Sequence, residues 1–592
     1  MTTQAPEAVT TAELGRARYA PLLDTVEAAV LADGADTPWH TTEDDPGLTV
    51  LQVHAPGAAV EIRLALPLGD TAGYWHPGAD WRRTPVADWE GRARVGLVKG
   101  LAAGCLYDST GATLLAFAAA DPVPEAALRY GVSEETDRYV VHLHLAPSER
   151  PHRVLFAPRA PGVAAALRPL RAWYRARTAA MPVPEAARLP LWCTWYAYNQ
   201  QVTAAEVERQ TRLAAELGFG AAILDDGWQR HAHGRGYAGV GDWLPDRDKF
   251  PDLTAHVAAV RGTGLRYLAW IAPLLLGPQA DCHAAWAPYA TRPAGVPGAH
   301  VLDPRRPEVR AHVVDTCVRL VREHGFDGLK LDFLDEAMVY AEDGGAELGP
   351  ALVRLLTELR TALEAVRPEL LLELRQPYVG PAMAEFGNLL RSFDCPADTT
   401  ANRVRTLDTA LLAAGGAVHS DPLLWAADAP VETAARNLIS TLHAVPQVSV
   451  RLDALPAEHL DALRFWLAQW RALRPQLLDG VVEPGRPDEL YPLVESVADG
   501  VRVVDVHGEL AVPYTPGEFT ETVLVNGSAA DRVVMDVRGG PAPTEMAVHA
   551  PDGRMIDRIR TVLTPGLHSV PVPRTGLARI RGGEQAARRI VR

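Results

Sequence analysis

Carboxylate side chains follow short apolar runs at several places in the sequence, and this pattern suits chemistry on a sugar. Asp225 and Asp226 come after GAAIL, Asp332 lies two residues after Lys330, and Asp394 ends LLRSFD. Carboxylates accept hydrogen bonds from paired hydroxyl groups, and tryptophan rings stack on the apolar C–H face of a sugar. We therefore expect a neutral, hydroxyl-rich ligand, with a sugar as the leading class.

Two of these carboxylates fit the two roles that cleavage of a glycosidic bond requires. One group must attack or stabilise the anomeric carbon, and the other must protonate the leaving oxygen. Lys330 and Asp332 point to the same side of an extended strand, and the ammonium group would keep Asp332 ionised, as a nucleophile must be. Asp394 is followed by Cys395 and Pro396 rather than by a cation, so we expect a raised pKa and the role of proton donor.

Asp398 leaves the second assignment open, because it lies only four residues after Asp394. It is an alternative proton donor. It is equally well placed to cap the helix predicted over TTANRVRTLDTALLAAGG, which would make its role structural.

The elements that must position these residues repeat a pattern of apolar strand and amphipathic helix after Leu189. This pattern is typical of parallel strands joined by helical crossovers. Eight strands in about 290 residues match the count and length of a (β/α)8 barrel. The strands are predicted at LPLWCTWYAYN, GAAILDDGW, RYLAWIAPL, DGLKLDFL, LLLELRQP, LLRSFDCP, AVHSDPLLW and VPQVSV.

The carboxyl ends of barrel strands share one pocket, so they provide a shortlist of site residues. Carboxylates and tryptophans dominate this shortlist. Its members are Trp195, Tyr198, Asn199, Asp225, Asp226, Trp228, Trp270, Lys330, Asp332, Asp335, Glu373, Arg375, Gln376, Asp394, Asp398, His419, Asp421 and Trp425.

Short alternating segments flank the barrel on both sides and indicate β-domains. Between about Leu48 and Phe156 they are bounded by Gly, Pro, Asp or Ser, which is typical of a β-sandwich. The prolines of MPVPEAARLP mark a junction. The predicted fold is α/β, with an N-terminal β-sandwich domain and linker helix over 1–185, a catalytic (β/α)8 TIM barrel over 186–480 and a small C-terminal β-sandwich domain over 481–592.

Charge and hydropathy exclude several classes of partner. The chain has 73 acidic and 58 basic residues and a net charge of −15, which argues against nucleic acid or a membrane surface as a partner held by bulk charge. No apolar run reaches the ~20 residues that cross a bilayer. The first residues lack a basic segment followed by an apolar block, so we expect a cytoplasmic location.

The cysteines and the missing nucleotide motifs argue against a cofactor. The five cysteines show no Cys-x-x-Cys pair, which favours reduced thiols over a zinc site or a disulfide framework. No Gly-x-Gly-x-x-Gly follows a strand, and no Walker motif occurs. Glycosyl transfer by two carboxylates needs no metal, so we expect neither a cofactor nor a metal.

Five segments of the chain closely resemble glycoside hydrolase family 36, the α-galactosidase-type enzymes related to raffinose synthases. They are LDDGWQ, GLKLDFLDE, ELRQPYVGP, SFDCPADTTANRVRTLD and AVHSDPLLW. GYWHPGADWRRTPVADW also resembles the N-terminal sandwich of that family, so the resemblance runs from about residue 70 to about residue 475. It implies a retaining, double-displacement mechanism and an N-terminal β-supersandwich, a barrel and a C-terminal β-domain.

The resemblance also implies roles for individual residues. Asp332 matches the nucleophile position of the family and Asp394 its acid/base position. Asp225 and Asp226 match the pair that holds the 4- and 6-hydroxyls of the sugar, and Trp228 lies beside them.

Other positions complete the predicted substrate-binding set. Lys330 matches a lysine that reaches the ring hydroxyls near C3 and C4. Arg375 and Arg403 would contact further subsites or orient the residues that do. Trp195 and Asp398, at the first and sixth strand ends, belong to the same predicted set.

Two segments depart from the family pattern. Many members carry Cys-x-x-Gly-Gly after the fifth strand, where it touches the 2-position of the sugar, whereas this chain has ELRQP over 373–377. The choice between a 2-hydroxyl and a 2-acetamido sugar therefore stays open. The usual Ser-Asp-x-Thr-Asp is FDCPAD over 393–398 here, which shifts the second aspartate by one position.

The leading hypothesis is a retaining α-glycosidase that hydrolyses terminal α-galactosides of an oligosaccharide or glycoside. The alternatives are a raffinose-synthase-like transglycosylase, an α-N-acetylgalactosaminidase and a β-L-arabinopyranosidase. A non-catalytic sugar-binding protein is the least favoured reading. The sequence fixes neither the aglycone nor the oligomeric state, and it leaves a homo-oligomer open.

Some residues allow a structural reading beside a functional one. Trp75, His76 and Trp81 could reach over the barrel mouth or pack at a domain junction, and the sequence does not decide between these. For His419 and Asp421, a structural hydrogen bond at the pocket edge is favoured over metal binding, because no third ligand lies at the required spacing.

Overall fold

The computed structural model of the protein describes residues 17–78, 82–343 and 347–582. Two antiparallel sheets precede the barrel, with the strand orders β1-β2-β6-β12-β11-β8, where β3 also pairs with β2, and β4-β5-β13-β10-β9-β7. These strands are β1 (Ala20–Leu23), β2 (Val26–Ala32), β3 (Ala35–Asp36), β4 (His40–Asp44), β5 (Leu48–Val53), β6 (Val60–Pro67), β7 (Gly73–Trp75), β8 (Gly91–Val95), β9 (Ala103–Tyr107), β10 (Thr113–Ala119), β11 (Ala126–Ser133), β12 (Arg138–Leu145) and β13 (His152–Phe156).

Alternation of side chains along the strands builds the core between these two sheets. In β6, Ile62 and Leu64 face the core, whereas Glu61 and Arg63 lie on the other face. The second sheet is also covered on its outer side by helix α1 (Val163–Arg175). Strand β9 is therefore buried along its whole length.

A buried aspartate joins this second sheet to the barrel. Trp75 Nε1 donates to Asp408 Oδ1 over 2.7 Å, the Tyr491 hydroxyl donates to the same oxygen over 2.5 Å, and Arg83 pairs with the other oxygen. Trp75 therefore packs at the junction and does not reach over the barrel mouth. Trp81 lies outside the described residues, and His76 is buried.

The eight predicted barrel strands are all present and form one parallel sheet with the order β23-β22-β21-β20-β16-β15-β14-β24. Parallel bridges at His419–Val445 and Leu423–Val448 bring the two ends of the sheet together, so the barrel is nearly closed. The barrel strands are β14 (Leu191–Cys193), β15 (Ala221–Leu224), β16 (Arg266–Ile271), β20 (Gly328–Leu331), β21 (Leu371–Arg375), β22 (Leu389–Arg391), β23 (Ala417–His419) and β24 (Gln447–Val448).

Helices and a small sheet surround the barrel strands. The small sheet has the order β17-β19-β18, with β17 (Leu275–Leu276), β18 (Arg292–Pro293) and β19 (His300–Val301). The helices are α2 (Trp195–Tyr198), α3 (Ala204–Glu216), α4 (Leu253–Arg261), α5 (His283–Trp286), α6 (Pro307–His324), α7 (Leu348–Val366), α8 (Thr399–Leu412), α9 (Val431–Ser440) and α10 (Ala457–Arg474).

Two further sheets follow the barrel, in the orders β25-β26-β27-β29-β34-β31-β32 and β28-β30-β33. A separate apolar core that includes Val504, Met535 and Val548 lies in this part of the chain. The strands are β25 (Val481–Pro484), β26 (Leu493–Ala498), β27 (Val501–Val506), β28 (Ala511–Tyr514), β29 (Glu521–Asn526), β30 (Val533–Val537), β31 (Ala542–His549), β32 (Met555–Leu563), β33 (Gly566–Val570) and β34 (Leu577–Gly582).

Within the described ranges, no helix combines the length and the apolar character that a membrane crossing requires. The predicted domain boundaries and the predicted cytoplasmic location stay predictions.

The register of the barrel strands brings charged residues side by side. Lys330 lies opposite Trp270 on one neighbouring strand and opposite Glu373 on the other. Arg375 lies opposite Arg391. Because the strands are parallel, these residues meet at one end of the barrel, which is the end where catalytic groups collect in this fold.

Candidate active site

Asp332 lies directly after β20 and is held by three hydrogen-bond donors. Its Oδ1 atom accepts from Arg375 Nε over 2.5 Å and from the Phe333 backbone nitrogen over 2.8 Å. Its Oδ2 atom accepts from Trp270 Nε1 over 2.9 Å. A carboxylate oxygen offers about two lone pairs. Oδ1 accepts two hydrogen bonds and Oδ2 accepts one, so Oδ2 keeps one acceptor site.

The cations around Asp332 keep this buried side chain ionised. Burial by itself would raise the pKa of Asp332, but the charges of Arg375, Lys330 and Arg391 outweigh it and hold the pKa well below its ordinary value. The expectation that a neighbouring ammonium ionises Asp332 is therefore correct in direction. Among the charges that lower the pKa of Asp332, Arg375 contributes most and Lys330 contributes second most.

Asp225 and Asp226 follow β15 and differ in their partners, although both are only 2% exposed. Lys330 Nζ donates to Asp225 Oδ2 over 2.7 Å, so Lys330 pairs with Asp225 rather than with Asp332. Asp226 accepts from Gln229 Nε2 over 2.6 Å and from Gln200 Nε2 over 2.7 Å. With neutral partners, burial prevails and raises the pKa of Asp226 to about 6.

Asp394 lies at the edge of the site, with half of its side chain exposed. Its Oδ1 atom accepts from Arg391 Nη2 over 2.8 Å. Partial loss of solvent would raise the pKa of Asp394, but the charges of Arg391 and Arg375 outweigh it and hold the pKa below its ordinary value. The expected raised pKa is therefore wrong. The chain turns after β22, so an arginine three residues earlier faces the carboxylate, which the sequence neighbours of Asp394 do not reveal.

Arg391 is the site residue that the sequence reasoning missed. It is buried at the end of β22, where it pairs with Asp394, contacts Glu373 Oε1 at 3.6 Å and donates to Asp421. Asp421 also accepts from the Tyr196 hydroxyl over 2.9 Å. The available signal was an arginine at the end of the apolar run LLR, in a strand predicted to be buried.

Asp335 is a further acid beside the same cations, and its side chain is only partly exposed. It lies three residues after Asp332, and its Oδ1 atom is 3.5 Å from Arg375 Nη2. Burial raises its pKa to about 6. Arg375 is also flanked by the rings of Phe333, Tyr378 and Phe393, with centroids 5.0, 5.4 and 5.3 Å from its guanidinium carbon.

Two residues of the predicted binding set lie beside the site rather than in it. Asp398 Oδ1 accepts from the Ala401 backbone nitrogen over 2.9 Å, so Asp398 is the N-cap of α8. The side chain of Arg403 donates to the Leu490 carbonyl over 3.0 Å, beyond the barrel strands. The cap interpretation of Asp398 therefore describes the structure, and Arg403 contacts the segment that follows the barrel.

The two predicted tryptophans differ in exposure. Trp228 is fully buried, and its Nε1 atom donates to the Trp270 carbonyl over 3.0 Å, so it supports Trp270 from behind. Trp195 is half-buried at the start of α2. Trp270, whose indole nitrogen reaches Asp332, is the tryptophan that the structure brings to the nucleophile candidate.

Among the residues that the structure describes, the histidines at this end of the barrel show no metal-ligand spacing. His419 is buried and hydrogen-bonds to the Ala187 carbonyl over 2.8 Å, and burial lowers its pKa to about 4. In the part of the chain that the structure describes, the side chains that come together with ligand spacing are Glu61, His142 and His144. They lie on β6 and β12, outside the barrel.

Part of the chain is similar to known α-galactosidases. A family model described as Melibiase matches residues 158–344. The chain is 27% identical over 161 residues to "Probable alpha-galactosidase C" of Aspergillus flavus, which covers 25% of this chain and 21% of that protein. It is 28% identical over 147 residues to "Alpha-galactosidase AgaA" of Geobacillus stearothermophilus, covering 24% and 19%. The matches thus span about a fifth of these relatives.

Solved structures share the fold over a longer range. The family 36 α-galactosidase AgaA of G. stearothermophilus superposes with a TM-score of 0.60 and 15% identity, covering 94% of this chain and 83% of that one. The α-galactosidase TtGalA of Thermus thermophilus, solved with p-nitrophenyl α-D-galactopyranoside, gives 0.54 and 18%, covering 78% and 98%. These structures show the fold of the chain, and together with the Melibiase model and the α-galactosidase relatives they support the resemblance to glycoside hydrolase family 36.

Proposed function

We propose that the protein is a retaining α-galactosidase in which Asp332 is the nucleophile and Asp394 the acid/base. The observation that carries this proposal is the buried Asp332 with its lowered pKa, which three donors orient near Asp225, Asp226 and Asp394. The composition of the site supports a sugar, because carboxylates and indoles bind hydroxyl-rich, neutral rings. The α-galactosidases among the relatives support the specificity.

The reaction runs in two displacements. Asp332 Oδ2 attacks the anomeric carbon, the bond to the leaving oxygen breaks, and Asp394 gives that oxygen its proton. Water then attacks the galactosyl ester, Asp394 takes the proton from the water, and the Asp332 carboxylate leaves. The two inversions retain the α configuration.

The substrate class is a terminal α-galactoside of an oligosaccharide. Structures of AgaA variants in complex with raffinose and with stachyose support this class for the fold. Asp225 and Asp226 are placed to accept hydrogen bonds from galactose hydroxyls, and Lys330 positions Asp225. Transfer of the galactosyl group to a sugar in place of water uses the same steps, so raffinose-synthase-like activity is the second candidate.

The proposed division of the chain follows the observed elements. The first two sheets and α1 would form the N-terminal domain over 1–185. The barrel strands would form the catalytic domain over 186–480, and the last two sheets a C-terminal domain over 481–592. Both flanking domains are proposed as β-sandwiches.

The testing experiment compares the wild type, Asp332→Ala and the control Asp428→Ala on a panel of nitrophenyl α- and β-glycosides. Asp428 is an exposed aspartate in the loop after β23. The wild type and the control should release nitrophenol from the α-galactoside, and Asp332→Ala should be inactive but folded by circular dichroism. Proton NMR should show α-galactose as the first product.

Three results would count against the proposal. Normal turnover by Asp332→Ala removes the nucleophile assignment. A β-anomer as the first product excludes double displacement. A folded wild type that cleaves none of the glycosides excludes an α-galactosidase. If the 2-acetamido or the arabinoside substrate is turned over faster than the galactoside, that sugar becomes the proposed substrate.

A further inference from the structure

Tyr237 extends from the long loop between β15 and α4 to the residues that hold Asp332. Its ring lies 6.3 Å from the ring of Trp270 at an interplanar angle of 27°, and 5.0 Å from the ring of Phe333 at 69°. Trp270 Nε1 and the Phe333 backbone nitrogen both donate to Asp332. Tyr237 therefore packs on the two residues that orient the proposed nucleophile.

Neighbouring loops hold the backbone at Tyr237 in place. Tyr237 donates its backbone N–H to the Pro297 carbonyl over 3.2 Å, and the Ala238 carbonyl accepts from the Gln279 nitrogen over 2.8 Å. A Cβ atom at Gly277 would lie 2.2 Å from the Ala238 carbonyl oxygen, so this approach requires glycine. The position of the Tyr237 ring is thus set by three loops rather than by one.

The hydroxyl of Tyr237 lies within range of the charges of the site's acidic groups. Burial and the charges of Asp226, Asp332, Asp225 and Asp394 raise its pKa, so the phenol stays protonated and is a hydrogen-bond donor. Within the described residues, no protein group accepts a hydrogen bond from this hydroxyl. The Tyr237 side chain is half-buried, so it is partly accessible from the solvent.

The charges of the three buried cations of the site are each paired with a carboxylate. Lys330 pairs with Asp225, Arg375 with Asp332, and Arg391 with Asp394 and Asp421. A sugar presents acceptor oxygens as well as hydroxyl protons, and carboxylates can satisfy only the protons. The Tyr237 hydroxyl is a neutral donor beside Trp270, and it can donate to these acceptor oxygens.

We propose that Tyr237 is a substrate-binding residue whose hydroxyl donates a hydrogen bond to an oxygen of the bound sugar, while its ring forms the wall beside Trp270. The inference rests on the proposed function, because it assumes that the sugar binds at Asp332. It adds a contact from the loop after β15 that the motifs at the strand ends do not contain.

The test measures sugar binding and turnover in Tyr237→Phe, which removes the hydroxyl and keeps the ring. The matched control is Tyr289→Phe, in the loop after β17, whose ring lies against Trp286 and Arg306 instead. Galactose binding is followed by tryptophan fluorescence, and kcat/KM is measured on nitrophenyl α-galactoside. We expect Tyr237→Phe to weaken galactose binding and to lower kcat/KM by about 3- to 12-fold, as loss of one hydrogen bond does, with an unchanged Tm.

Monodeoxygalactoses separate a direct contact from a structural effect. One of them should bind the wild type more weakly but bind Tyr237→Phe no worse than galactose does, because the lost partner is already missing. Equal penalties for all deoxy sugars, wild-type behaviour of Tyr237→Phe, or no galactose binding by the wild type would each overturn the inference. If galactose binds without turnover and the deoxy pattern holds, the Tyr237 contact stands and the proposed hydrolase function fails.

Discussion

Replacing Arg375 by methionine should move the acid limb of the pH–rate profile to higher pH. Arg375 Nε donates to Asp332 Oδ1 over 2.5 Å, and its charge makes the largest contribution to the lowered pKa of Asp332. Methionine keeps much of the side-chain volume among Phe333, Tyr378 and Phe393 and removes the charge. In the proposed mechanism Asp332 must be ionised to attack, so its pKa would set the lower pH limit of the reaction.

The magnitude follows from the charges that stay behind. An opposite charge in contact lowers a carboxyl pKa by about 1 to 3 units. Lys330 and Arg391 remain and still favour the ionised form, so the limb should rise by about that amount and stay below neutral pH. Removing one member of a buried ion pair should also lower the free energy of unfolding by about 3 to 5 kcal/mol near pH 7.

The stability effect has a defined pH dependence. A lowered pKa in the folded protein stabilises it above the unfolded value of about 3.9, and this contribution is lost as the pH falls through the folded pKa. The stability difference between the wild type and Arg375→Met should therefore shrink towards acid pH.

The assay is kcat/KM on nitrophenyl α-galactoside between pH 3 and pH 8, with urea denaturation of the same samples. Arg375→Lys is the companion variant, because it keeps the charge and loses the Nε contact. It should keep the acid limb of the wild type while kcat falls. The reasoning would be refuted if the acid limb of Arg375→Met lay at the same pH as in the wild type. It would also be refuted if the acid limb of Arg375→Lys moved up as far as that of Arg375→Met.

Two further predictions concern the acid/base region. Because Arg391 holds the pKa of Asp394 low, the protonated fraction falls as the pH rises, so kcat/KM for raffinose should drop about tenfold per pH unit above that pKa. Nitrophenolate leaves without a proton, so its profile should stay flat there, and parallel profiles for both substrates would contradict this role. Asp398→Ala should lower the free energy of unfolding by about 1 kcal/mol, as loss of an N-cap does, with kcat/KM unchanged. Urea denaturation and the nitrophenyl assay test this, and loss of turnover at unchanged stability would make Asp398 a catalytic candidate again.

The barrel and the positions of its site residues could be predicted from the sequence because they depend on local patterns. Each of the eight apolar runs predicted as barrel strands between Leu191 and Val448 is a strand in the structure. Parallel strands then place Asp225, Asp332 and Asp394 at one end of the barrel without further information. The sequence also predicted the N-cap role of Asp398 at α8, as one of two interpretations of this residue.

The partners of the charged residues could not be predicted, because they depend on register between strands and on turns after them. Lys330 is close to Asp332 in sequence, yet its ammonium group reaches Asp225 on β15. Arg391 meets Asp394 only because the chain turns back after β22. The contact of Tyr237 with Trp270 depends on a long loop, whose course no periodic pattern fixes.

The pairing of charges explains why a neutral sugar suits this site. Each of the three cations, Lys330, Arg375 and Arg391, contacts a carboxylate, namely Asp225, Asp332 and Asp394. Among the remaining acids, burial raises the pKa of Asp226 to about 6 and that of Asp421 to about 7, and it raises the pKa of Glu373 as well. Below about pH 6 Asp226 and Asp421 are therefore largely protonated, and the paired charges cancel. An anionic sugar would then find none of these three cations unpaired, whereas a neutral galactoside can donate to the carboxylates and accept from the proposed Tyr237 donor.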